Sequence, residues 1–97
     1  MTDNKELMLP RLVGSRDQAR QLAEELGDLT GQVVVLNGRE SRAASSSAAD
    51  EFVKVILVEG GATRLELLSG TPDFVRDVEL STQDHGVAEK LAVASAL

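Results

Sequence analysis

Residues 32–37, QVVVLN, restrict the fold of this chain more than any other segment. Val33, Val34 and Val35 are β-branched and Leu36 prolongs the run, so the segment favours a pleated strand. A continuous apolar run, without polar alternation, suits a strand covered on both faces, as in parallel sheets. The neighbouring segments agree with a parallel arrangement. Residues 7–13, LMLPRLV, predict a first strand, with Pro10 confining it to an edge because it has no N–H to donate. GSRDQARQLAEELG follows, with Ser15 as N-cap, Gln18 completing a capping box, and Ala19, Leu22, Ala23 and Leu26 at helical spacing up to Gly27. This predicts a helix over 16–26.

Beyond the QVVVLN strand, residues 38–46 lack any apolar period and read as a loop. From Ser47 the pattern is helical: Ala49, Phe52, Val53 and Ile56 form one face, which Ala48, Val55 and Leu57 widen until Gly60 and Gly61. So broad an apolar girdle on a 47–59 helix implies burial on more than one side, or contact with a partner. TRLELL at 63–68 predicts the next strand, and SGTP a turn with Pro72 in the first turn of a short helix carrying Phe74, Val75 and Val78. Residues 86–97 carry Val87, Leu91 and Ala92 at helical spacing in an Ala-rich stretch, which reads as a docked helix or a tail. The alternation predicts one α/β domain over 1–97, with its core at about 7–80, a mainly parallel sheet and right-handed crossovers.

Composition excludes several functions. At 97 residues with 42% hydrophobic content, the chain is long enough for a modest core, which must be aliphatic because Phe52 and Phe74 are its only aromatics. A net charge of −6 with scattered Lys and Arg argues against nucleic-acid binding and suits a basic partner. The absence of cysteine excludes disulfides, thiol catalysis and thiolate metal sites, and fits a reducing compartment. No run approaches the roughly 20 apolar residues of a membrane helix. MTDNKELMLP lacks the basic and apolar regions of a secretory signal, so a cytoplasmic protein without membrane contact is expected.

The sequence offers little for catalysis. His85 is the only histidine and reads as a solvated loop or helix-end residue, since Asp84 beside it in sequence does not amount to a triad. Asp73, Asp77 and Glu79 lack calcium-loop spacing and read as a solvated helix face, and no glycine-rich phosphate loop occurs. Neither cofactor nor metal is expected, and the chain reads as non-enzymatic. The stretch 40–52, ESRAASSSAADEF, is more informative. Ser47 or Ser46 serves as helix cap, with Asp50 and Glu51 in the first turn favouring the helix dipole. The remaining hydroxyls stand where a phosphate would be stabilised by free amides.

These residues resemble the STAS fold of bacterial anti-sigma factor antagonists, in which a strand-end aspartate precedes an Asp-Ser-Ser-Gly motif at a helix start. Counted along this chain, Asn37 stands at the strand-end position, Ser45 at the motif aspartate, Ser46 at the phospho-acceptor, Ser47 at the second serine and Ala48 at the glycine. The chain is more similar to a STAS-like family of unknown function. There a strand ends in Asp-Phe, and Ser-x-Ser-Phe-Ala-Asp-Glu opens the next helix. Ser45, Ser47, Ala49, Asp50 and Glu51 match, Phe52 takes the apolar position after them, and Asn37, Gly38, Ser46 and Ala48 depart. The wider similarity covers roughly residues 14–80. It implies a regulatory interaction domain whose partner is a histidine-kinase-like ATPase or another anti-sigma-type protein. Ser46 is then the first phospho-acceptor and Ser45 the second. The expected partner surface is the 38–46 loop and the exposed side of the 47–59 helix, with Arg39, Arg42, Ser45, Ser46, Ser47 and Asp50 as its contact residues, together with the 69–73 turn. The competing expectations are a small ligand-binding domain or enzyme with a pocket at the strand C-terminal ends, and a homo-oligomer joined through Val55 and Leu57.

Overall fold

The computed structural model describes residues 4–94. In chain order the elements are β1 (Asn4–Met8), β2 (Leu12–Val13), α1 (Arg16–Glu24), β3 (Val33–Asn37), β4 (Ala43–Ala44), α2 (Ser46–Val53), β5 (Arg64–Leu68), α3 (Pro72–Asp84) and β6 (Leu91–Ala94). Past Val53, α2 runs on as a π-helical segment, Lys54–Glu59, and a 3₁₀ turn, Ala88–Lys90, leads into β6. The main sheet has the order β1-β3-β5-β6 with every pair parallel, as the alternation predicts. A second small parallel pair joins β2 to β4.

Because sheet order follows chain order, crossovers of one hand place all three helices on the same face. Burial agrees: Val34, Leu36, Leu65 and Leu67 share one core with Ala19 and Ala23 of α1, Phe52 and Val53 of α2, and Phe74 and Val78 of α3. The Phe52 and Phe74 rings meet edge to face at 6.3 Å. The both-faces expectation for QVVVLN is therefore corrected. Val33 and Val35 point to the opposite face and are only half-buried, since no helix among the described residues packs there.

Other expectations also shift. The 7–13 strand is two strands divided at Pro10. β1 begins earlier, at Asn4, and forms a sheet edge, with the Lys5 ammonium donating to the Leu26 carbonyl at 2.6 Å. The 86–97 segment is not a helix: β6 extends the sheet beside β5, because an open strand edge offers backbone partners that outweigh the weak strand preference of alanine. Residues 95–97 of that expectation lie outside the described residues. The helix expected at 47–59 starts at Ser46 and widens to π geometry from Lys54, ending at Gly60. A Cβ at Gly60 would stand 2.5 Å from the Val55 carbonyl oxygen, so only glycine fits that turn. Val55 and Leu57, expected at an oligomer interface, are 7% and 3% exposed and belong to the core of a single chain.

Candidate functional site

Each helix starts at the C-terminal end of a strand with a hydroxyl cap. Ser15 accepts from the Gln18 N–H, Ser45 from the Ala48 N–H and Thr71 from the Phe74 N–H, at 3.1, 3.0 and 3.2 Å. The α2 cap is thus Ser45, ahead of both expected caps, Ser46 and Ser47. The cause is the β2–β4 pair: the Ser45 N–H donates to the Val13 carbonyl at 2.9 Å, holding Ser45 extended (φ −70°, ψ 159°) where the chain turns helical. The same pair corrects the reading of 38–46 as a plain loop. Arg42 and Ala43 N–H both donate to the Arg11 carbonyl, at 2.8 and 3.2 Å, and the Gly38 N–H donates to the Leu68 carbonyl at 2.7 Å.

With Ser45 used as cap, Ser46 and Ser47 occupy the first helical positions and are exposed, as are Arg39 and Arg42. Asn37 is buried, donating to Glu6 at 2.9 Å and accepting from the Arg39 N–H at 3.0 Å, so it ties the strand end to the following turn. Two cavities flank the Ala43–Ala44 dipeptide. One of about 370 Å³ is lined by Leu12, Val13, Gly14, Ala43, Ala44 and Ser45. The other, about 220 Å³, is lined by Arg42, Ala43, Ala44, Thr71, Pro72 and Asp73. The structure thus brings the 69–73 turn beside the 38–46 segment. A third cavity, about 400 Å³, opens where the π-helical turn (Val55, Glu59, Gly60) faces Arg20, Ala23 and Glu24 of α1.

Asp50 and Glu51 lie beyond the first turn of α2, and instead of serving the dipole they join the central helix to both neighbours. Glu51 is 2% exposed and accepts from Arg16 Nη1 at 2.8 Å and Arg20 Nε at 2.6 Å, both on α1. Asp50 accepts from Arg16 Nη1 at 2.9 Å, and from Ser81 Oγ at 2.7 Å on α3. His85, which ends α3, stands with Nε2 3.0 Å from the same Asp50 oxygen. Arg20 also reaches Glu59 at 3.2 Å. Burial opposes the charge on Asp50, but hydrogen bonds from Ser81, Arg16 and His85 outweigh it and hold the carboxyl down at about 2. Burial likewise opposes Glu51, and the Arg16 and Arg20 hydrogen bonds more than offset it, so its pKa also lies below the ordinary carboxylate value. The hydrogen bonds that Arg20 donates to Glu59 and Glu51 raise its pKa further above its already high value.

Arg16, Arg20 and Ser81 were missed as site residues. The two arginines carry one sequence signal, long-range complementarity between basic residues four apart on one helix and an acidic pair on the next, and Ser81 carries none. His85 is a helix-end histidine as expected, but with a partner 35 positions away. The cluster is not a hydrolytic triad. Activation of a serine needs the imidazole between carboxylate and hydroxyl, whereas here Asp50 Oδ1 stands between Ser81 and His85. Neither Ser81 nor His85 lines any of the three cavities. Among the described residues no cluster of three metal-ligating side chains occurs, and no helix is long and apolar enough to cross a membrane. No family model, curated protein or solved structure matches the chain.

Proposed function

We propose that this chain is a non-enzymatic, STAS-like regulatory domain of the bacterial cytoplasm. Its partner surface comprises the 38–46 segment, the start of α2 and the 69–73 turn. Its partner, on the resemblance set out above, is a histidine-kinase-like ATPase or another anti-sigma-type protein. One observation carries the reading: Ser45 is consumed as the cap and lines one of the cavities around Ala43 and Ala44, while Ser46 and Ser47, which follow it in the chain, stand exposed. Ser46 is the switch. A phosphate at the first helical position meets free amides and the positive end of the helix dipole. Asp50 and Glu51, the nearest acids on α2, are paired with Arg16 and Arg20, which weakens their repulsion. Exposed Arg42 adds a cation on the adjoining segment. The ligand-pocket alternative has less support, because a sheet whose order follows the chain lacks the reversal at which α/β sheets open a binding crevice.

The test is affinity capture on immobilised wild type, Ser46→Asp and Ala43→Arg, read by mass spectrometry. A partner held by wild type and lost from both variants is the expected result. Capture of nothing, or of the same proteins by all three, removes the proposal.

A further inference from the structure

No helix among the described residues covers the sheet face opposite α1, α2 and α3. Register places Glu6, Val35, Glu66 and Ala92 in one row across it, between a row containing Val33 and Arg64 and a row containing Met8 and Leu68. Val33, Val35 and Leu68 are half-buried and stand outside the packed core, and Met8 is 43% exposed. Parallel sheets are normally covered on both faces, and a contiguous apolar strip rimmed by polar groups marks a contact surface. We infer that this face receives a basic amphipathic polypeptide segment. Its apolar side lies on Val33, Val35 and Leu68, and its Lys or Arg side chains stand over Glu6 and Glu66.

Charge selects this occupant. Among the described residues the face presents the carboxylates of Glu6 and Glu66 against one guanidinium, that of Arg64, which is already 3.2 Å from Glu66. Two copies stacked on this face would bury a surplus of carboxylates with no cation to meet them, which is costly. A Lys- or Arg-bearing segment supplies the missing cations, and the net charge of −6 attracts it from a distance. The surface lies across the sheet from α2, so the inference stands independently of the role given to Ser46.

The probe is a synthetic amphipathic peptide of about 18 residues, roughly five helical turns, with a leucine stripe flanked by lysines. It is titrated into the full chain while backbone amide shifts are followed by NMR. Shifts should concentrate at Val33, Val35, Glu66 and Leu68, and affinity should fall with added salt. Glu66→Lys and Val35→Lys, each checked for folding by circular dichroism, should weaken binding about tenfold or more. Ser46→Asp should leave it unchanged. The inference is overturned by shifts confined to the helix layer, or by equal binding of a peptide with Glu in place of Lys. It is equally overturned by absence of sheet-face shifts at about 1 mM peptide, or by a dimer through this face in sedimentation.

Discussion

Ser45 holds the start of α2 through a single hydrogen bond to the Ala48 N–H. Ser45→Ala should therefore cost about 1 kcal/mol in urea unfolding, while Ser46→Ala and Ser47→Ala stay within about 0.5 kcal/mol. A serine run shows that a cap exists without showing which hydroxyl performs it, because the choice is made by the β2–β4 pairing. Two-residue strands have no period to read. Asp50 gives a second prediction. Its pKa falls from 3.8 to about 2 on folding, so the unfolded chain binds the proton more readily than the folded one. Its contribution is complete above about pH 5 and is lost as the pH falls toward 2. For a carboxylate one-third exposed, screening leaves on the order of 1 kcal/mol. Asp50→Asn should lower stability by that amount at pH 7, with the two chains converging near pH 2 in acid titrations followed by circular dichroism.

Among the elements, α1 and β3 were readable because their signals are local: a capping box with apolar spacing, and an unbroken β-branched run. The β6 strand was not, since Leu91 and Ala92 sit at helical spacing from Val87 and only the free edge of β5 makes the segment a strand. The breadth of the 47–59 apolar girdle was real, but its cause was geometric. The π-helical turn redirects Val55, Ile56 and Leu57 into the core. Gly60→Ala should strain that turn, because its Cβ would press on the Val55 and Ile56 carbonyl oxygens at 2.5 and 3.0 Å. A loss of about 1–3 kcal/mol is expected in chemical denaturation, whereas a neutral result would show that the turn relaxes to α geometry.

For the molecule as a whole, the charge cluster on α2 does for the helix layer what hydrogen-bonded registers do for the sheet. Asp50 joins α2 to α1 and α3, and Glu51 joins it again to α1. Such a network was illegible in sequence because its members lie 31 to 35 positions apart. A chain ending after His85 would lose β6 and the packing of Leu91 on the core, leaving β5 as an open edge. Its thermal midpoint should fall by about 5 °C or more in calorimetry. The unreversed strand order also bears on how the chain assembles. Every neighbouring pair in the main sheet is separated by one helical crossover, with no strand skipped, so contact order is as low as a parallel sheet of this kind allows. In the folded sheet each new strand adds to the edge of the one before it, and none is inserted between two earlier strands. The domain is built to grow in one direction, from its first edge to its last.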